Sequence, residues 1–324
     1  PTPDPGPVIH FSAATRATPG RIIEVVSPDA TGAPATAIGA AGVVDEVHAT
    51  VSVQLDGNAD NLVLAGAANI SGFGNGLSNH MTGNAGNNHV AGGDGGDTID
   101  AGEGDDVLLG ETGEDFIYAG NGADQVFGGQ GDDQLFGGYG ADVIGGGSGA
   151  DIVFGNHNSD NINGGADADT IYGGQNDGVP RLDAYGFLRM QDGVETIDGG
   201  AGNDSMFGNY GDETMLGGAG DDTMYGGQNN DTLVGGDGAD RLYGNRDDDI
   251  LIGGAGGDTF AFGAAGQGSD VVMDFDFTAG DRLSLVGTWQ VSTAASGNAL
   301  IIHSGGTFEM VGYQASEVVD GWFV

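Results

Sequence analysis

The sequence predicts an all-β solenoid of short stacked repeats, and three observations predict it. An acidic residue recurs every nine positions from Asp97 to Asp258, with one break in step. Two residues after each acid stands an apolar side chain. Glycine supplies 68 of the 324 residues, about three times its usual share. Self-similarity at a fixed short period marks an array in which no unit has a core of its own and stacking creates one.

Ahead of the array, residues 1–42 are irregular. The run Pro1-Thr2-Pro3-Asp4-Pro5-Gly6-Pro7 reads as an extended linker, and Ile22–Val26 as a strand. Residues 43–91 form an N-terminal cap, because Val47, Ala49, Val51, Val53 and Leu55 alternate with polar neighbours. From residue 92 to 261 the chain divides into units G-G-x-G-x-D-x-U-x, with U apolar. The sixth position carries Asp97, Asp106, Asp115, Asp124, Asp133, Asp142, Asp151, Asp160 and Asp169. After an insertion at 177–194 it resumes as Glu195, Asp204, Glu213, Asp222, Asp231, Asp240, Asp249 and Asp258. The eighth position is apolar in every unit, from Ile99 and Leu108 to Leu251 and Phe260. Upstream, Met81 and Val90 keep the beat while Asn79 and Asn88 replace the acid, as a weakening cap would. Residues 262–324 form the C-terminal cap.

The chemistry follows from this spacing. Each nonapeptide divides into about six residues of turn and three of strand. Its glycines free the backbone to take positive φ and turn carbonyls toward one point. A hard cation such as calcium takes six to eight oxygens. One carboxylate per turn, with glycine carbonyls from neighbouring turns, supplies them. The fifteen aspartates at the sixth position are therefore the candidate metal ligands, and about a dozen calcium ions are expected. The charge asks for cations too. There are 48 acidic residues against 7 basic ones, all arginine, for a net charge of −41. Such a charge opposes compaction by self-repulsion. The acids are periodic rather than clustered, which argues against a disordered acidic chain.

Several classes are excluded. No basic patch exists to meet nucleic-acid phosphates. Cysteine is absent, so disulfides contribute nothing. No apolar run reaches the roughly 18 residues of a membrane-spanning helix. Neither H-E-x-x-H nor G-x-S-x-G occurs, and the 6 His are scattered without zinc-ligand spacing, so no enzyme is expected. A chain beginning at Pro1 without a signal-peptide pattern is expected to be a processed product or a fragment.

The nonapeptides resemble the RTX (repeats-in-toxin), or hemolysin-type, calcium-binding repeats of serralysin-type proteases, bacterial lipases and adenylate cyclase toxin. The resemblance implies a right-handed parallel β-roll in which two nonapeptides make one 18-residue coil. It also implies calcium held between loops that neighbour one another along an edge. Eight loops match G-G-x-G-x-D fully, those ending at Asp97, Asp133, Asp142, Asp151, Asp204, Asp222, Asp240 and Asp258. Nine depart, for example Gly155-Asn156-His157-Asn158-Ser159-Asp160. The units ending at Asp160, Asp169 and Glu195 flank the insertion and are the expected weak point. Asn61–Leu64 with Gly72–Asn75 is similar to the lead-in of such arrays, and 258–283 to their C-terminal cap. The terminus Asp320-Gly321-Trp322-Phe323-Val324 resembles a type I secretion signal. Export by that route to the exterior or surface of a bacterium is what the family implies.

Two features stand apart from the repeat. The insertion carries Arg181, Tyr185, Phe187 and Arg189, side chains that interfaces favour. The ninth position, expected to face outward, carries Tyr118, Phe136, Phe154, Tyr172, Phe207, Tyr225 and Tyr243 in alternate units. Intramolecular stacking is one reading of that ladder, and a docking face is the other. The expected function is a non-enzymatic structural or surface-assembly protein that folds on calcium. Alternatives are the exported carrier region of a larger enzyme or toxin, and an adhesin or ice-binding module resting on Thr196, Thr214 and Thr232.

Overall fold

A computed structural model describes residues 21–26, 34–37, 39–40, 44–174, 180–182, 188–190, 194–263 and 268–324. It contains two compact units, residues 1–147 and 148–324, each built on the same plan. Apart from a 3-10 turn at Asp320–Trp322, the regular structure of the described residues is all β. No helix among them is long and apolar enough to cross a membrane.

In the first unit successive strands alternate between two parallel sheets. Thr98–Glu103 pairs with Phe116–Asn121, and Phe116–Asn121 with Gln134–Tyr139. Between them in sequence, Val107–Thr112 pairs with His89–Asp94 and Gln125–Gln130 in the other sheet. The register is 18 residues, as in Ile99↔Ile117 and Leu108↔Val126, so two nonapeptides make one coil. The second unit repeats this arrangement through Met206↔Met224, Met224↔Leu242 and Leu242↔Phe260. Across the insertion, Ile171 pairs with Met206 and Ile162 with Ile197, so the extra residues leave the roll in register. They contribute a separate antiparallel hairpin, Pro180–Leu182 with Leu188–Met190, in which Arg181 lies opposite Arg189. Tyr185 and Phe187 lie outside the described residues.

Coiling outruns the nonapeptides at both ends. Arg21–Val25, one residue earlier than the sequence reading placed it, already pairs in parallel with Asp45–Ala49. The alternation from residue 43 to 64 resolves into three strands, Asp45–Ala49, Val53–Leu55 and Asn61–Leu64, separated by turns. At the other end Thr259–Phe262 pairs in parallel with Arg282–Leu285. Thr307–Met310, Ala299–His303 and Trp289–Thr293 then close the second sheet as an antiparallel meander.

The division of the nonapeptide differs from six residues of turn and three of strand. Most repeat strands span six residues, from the seventh position to the third of the next unit. The ladder skips the first position and resumes at the second, as in Leu109↔Phe127 followed by Glu111↔Gly129. The strand thus bends at its glycines without ending. Side chains at the eighth position are 0–1% exposed in every unit. Burying an aliphatic side chain of this size stabilises by about 1.5–3 kcal/mol. The small first-position residues are also inside, Ala101 and Ala119 at 0%.

The C-terminal residues close the second unit. Trp322 is 5% exposed, with ring centroids 4.9 Å from Phe275 and 5.0 Å from Tyr313. Phe323 stacks on Trp289 at 4.0 Å, and the Val324 N–H donates to Leu283 O at 3.0 Å. Trp322→Ala is expected to cost about 3–5 kcal/mol by loss of the buried ring. Thermal unfolding of calcium-loaded protein, and amide exchange over 282–310, will show it. A melting curve unchanged by the substitution would contradict the closure.

Candidate metal centre

Every acid at the sixth position is buried, at 0–3% exposure. In the aspartate columns one carboxylate oxygen has a fixed partner, because the N–H of the sixth residue in one coil donates to Oδ1 of the aspartate one coil later. In the first unit these bonds run Asp97 to Asp115 at 2.6 Å, Asp115 to Asp133 at 2.8 Å, Asp106 to Asp124 at 2.7 Å and Asp124 to Asp142 at 2.9 Å. In the second they run Asp151 to Asp169, Asp169 to Asp204, Asp204 to Asp222, Asp222 to Asp240 and Asp240 to Asp258, at 2.7–2.9 Å. The opposite edge carries Glu213 to Asp231 and Asp231 to Asp249, each at 2.9 Å. Asp160 and Glu195 are buried on the same edge, since Thr196 pairs with Asn161.

The other oxygen is different. Oδ2 of Asp97, Asp106, Asp115, Asp124, Asp169, Asp204, Asp222, Asp240, Asp249 and Asp258 is buried and accepts no hydrogen bond. Leaving a buried charged acceptor unsatisfied is costly. The first-position glycine explains how there is room beside it. A Cβ on Gly92, Gly110, Gly235, Gly244 or Gly253 would stand 2.1–2.3 Å from Oδ2 of the acid five residues on. The carbonyl of the first-position glycine one coil later borders the same space, 2.5 Å from a Cβ on Gly110 and 2.3 Å from one on Gly217. Among the described residues no three acidic or histidine side chains converge on one point. The donor set is therefore one or two carboxylates with backbone carbonyls, all hard oxygen. That set fits calcium.

The asparagine coils show what fills this position when the acid is absent. The Asn79 Nδ2 donates to Asp60 O at 2.8 Å, and the Asn88 Nδ2 to Ile70 O at 3.1 Å. There an amide N–H meets the carbonyl of the preceding coil. An aspartate has no such donor, so a cation must meet the oxygens instead. When bound, calcium would neutralise the paired columns of carboxylates and tie neighbouring coils together.

Departures from G-G-x-G-x-D keep the loop shape. Eight non-glycine residues have positive φ: Glu111, Asn156, Asn158, Asp167, Asn209, Asn229, Asn245 and Asp247, at 71–79°. All occupy the second or fourth position, where the repeat glycines take 98–151°. Seven of the eight are Asn or Asp, which tolerate this region best.

Acids beyond the repeat join the columns. The Asp249 N–H donates to Asp270 Oδ1 at 3.1 Å, and the Asp258 N–H to Asp281 Oδ1 at 2.9 Å. The Asp45 N–H donates to Asp60 Oδ2 at 2.8 Å. None keeps the nine-residue beat. The signal that could have found them is the D-x-U triplet, present as Asp45–Val47, Asp60–Leu62, Asp270–Val272 and Asp281–Leu283.

On the outer faces, Phe154, Tyr172, Phe207, Tyr225 and Tyr243 stack with centroids 4.5–5.1 Å apart and planes within 2–14°. In the first unit Tyr118 pairs in register with Phe136, and Phe136 packs against Phe116 at 5.1 Å. The ladder is thus an intramolecular stack within the second unit. Thr196, Thr214 and Thr232 lie in register on the other sheet, and Ile250 follows them.

The family of RTX calcium-binding nonapeptide repeats matches residues 73–108, 100–135, 127–156, 154–177, 191–224 and 225–260, together more than half of the chain. The protein belongs to this family, and calcium is its ligand. No curated protein matches the sequence. Among solved structures the extracellular lipase LipA from Serratia marcescens is similar, at 16% identity and a TM-score of 0.21. The alignment covers 86% of this chain and 45% of the lipase, so the chain spans less than half of that protein's length.

Without metal, burial pushes the carboxyls up from 3.8, to about 6 for Asp124 and Asp258, about 7 for Asp97, Asp106, Asp142, Asp169 and Asp222, and about 8 for Asp249. A folded-state value above the unfolded one means that folding favours the protonated form. The stabilisation is complete below about pH 4 and is lost as pH rises through 6–8. Chelated protein is therefore expected to gain β-sheet circular dichroism on acidification and lose it toward pH 8. Calcium-loaded protein is expected to behave oppositely below pH 6, because protons compete for the same oxygens. A chelated sample with full, pH-independent β signal between pH 4 and 8 contradicts this. Asp222→Asn retains an acceptor for the Asp204 N–H but removes charge. It should raise the calcium concentration needed for half folding and lower the stoichiometry by about one ion.

Proposed function

We propose that this protein is exported by a type I route and serves, without enzymatic activity, as a structural component assembled outside the cell or on its surface, in a layer, filament or matrix. The observation that carries the reading is the aromatic stack of the second unit. Five rings from consecutive coils of one sheet form an outward row, and all five are half-buried. Exposed apolar surface of this continuity marks interaction sites on soluble proteins.

Calcium supports the same reading electrostatically. A chain of net charge −41 repels its copies, and each bound ion removes two charges. Folding and association are then switched on by one event, in calcium-rich surroundings. The export signal resemblance at Asp320–Val324 fits this order, because those residues are available to an exporter only before Trp322 is packed away.

The triple variant Phe136→Ser, Phe154→Ser, Phe207→Ser tests the proposal. Calcium-induced folding, followed by circular dichroism, should persist with a lowered melting temperature. Ordered assembly, followed by light scattering and electron microscopy, should be abolished. A variant that assembles as the parent does would leave the row with a purely intramolecular role.

A further inference from the structure

Beside the aromatic row of the second unit runs a groove of about 490 Å³, open to solvent and formed by three consecutive coils. Its shape follows from the bend of each strand at its glycines. The ninth-position rings of Phe207 and Tyr225 make one wall. The third-position side chains Tyr210, Gln228 and Arg246, one per coil, make the other. Asn209 and Asn245 also line it, their Nδ2 groups donating to Phe207 O at 3.4 Å and Tyr243 O at 3.2 Å.

The composition of this groove is unusual for the chain that contains it. In a protein with 48 acidic residues, no carboxylate lines it. It also holds one of only 7 basic residues, and the Arg246 guanidinium makes no ion pair among the described residues. These features exclude the obvious occupants. Without carboxylates it is not a calcium site. A peptide adding as a strand needs an unpaired edge. Here Ser205–Tyr210 and Thr223–Gln228 are paired on both sides. An anionic polymer would meet the long-range repulsion of the whole chain. An enclosed apolar ligand would need walls on all sides.

We propose that this groove binds an uncharged saccharide chain lying along the roll axis. Sugar rings offer apolar C–H surfaces and hydroxyl edges together. The ring edges of Phe207 and Tyr225, whose faces are taken up by the stack, offer the first van der Waals contact. The Tyr210 hydroxyl, the Gln228 amide and the forked donors of Arg246 suit the second. The polar groups repeat at the coil rise of about 4.7–4.9 Å, comparable to the length of one pyranose, so successive coils can meet successive sugars. This goes beyond the assembly proposal and does not depend on it.

The test uses the full calcium-loaded chain in native gels cast with hydroxyethyl cellulose, soluble starch, dextran or glycol chitin, and with polygalacturonate as the anionic control, with titration calorimetry on matching hexasaccharides. At least one neutral glycan should retard the protein. Arg246→Ala with Gln228→Ala, the first exposed and the second half-buried, should weaken that binding about tenfold, the loss of two or more hydrogen bonds. Circular dichroism and the calcium midpoint should not change. Tyr210→Ala, in an exposed side chain, serves as the second variant and should weaken it in the same direction. The proposal is overturned if no neutral glycan in the set binds, or if both variants bind as the parent does. It is equally overturned if only polygalacturonate binds, which assigns the effect to calcium bridging. Self-association lost in the double variant, with no glycan binding, would assign the groove to a second copy. Assembly is read by particle size and glycan binding by retention, so either proposal can fail alone.

Discussion

The structure turns on the burial of carboxylates in columns. Taking one ionised carboxylate out of water costs several kcal/mol even after relaxation, and proteins ordinarily compensate with a paired cation. This chain has no lysine and only 7 arginines, so side chains cannot supply those cations. In the aspartate columns the backbone compensates half of the group, through the N–H bonds to Oδ1 from one coil to the next. The remaining oxygen is left for something from solution. A proton or a calcium ion can fill that role, and only the ion serves two neighbouring loops at neutral pH. Folding and metal binding are therefore one free energy.

The glycines serve this constraint and not flexibility in general. At the fourth position the turns of adjacent coils nearly touch, and a Cβ on Gly140 would lie 1.5 Å from Gly122 O. At the first position glycine leaves open the space beside Oδ2. The second position is nearly as close, a Cβ on Gly120 lying 2.0 Å from Gly102 O, yet Glu111, Asn156, Asn209 and Asn245 stand there with positive φ. Asn158, Asp167, Asn229 and Asp247 likewise replace glycine at the fourth position, so both positions accept residues that tolerate the left-handed region. Loops that look degenerate, such as 155–160, keep the same backbone.

The outward positions obey a weaker rule. Nothing in the metal chemistry fixes the seventh, ninth and third positions, so they can carry surface function. The second unit uses them for an aromatic row on one wall and a carboxylate-free polar row on the other. Both rows owe their regularity to the roll, because an 18-residue register sets equivalent side chains side by side on successive coils.

The repeat, the core positions and the buried acids from Asp97 to Asp258 are legible in the amino-acid order alone. Two locked phases, an acid and an apolar residue two places later, leave one way for a strand to face inward. Glycine spacing also gave the loops. That each strand runs on through its glycines emerges from coil-to-coil pairing. The ladder pairs that extend it lie 18 residues apart, and no local pattern displays them. Pairing also recruited Asp45, Asp60, Asp270 and Asp281, which are off the beat but occupy the same place in a coil. The insertion was legible as an interruption. That the roll resumes in register across it, bringing Tyr172 beside Phe207, depends on hydrogen bonds between coils that the chain order separates. The groove, likewise, exists only where three such coils stack.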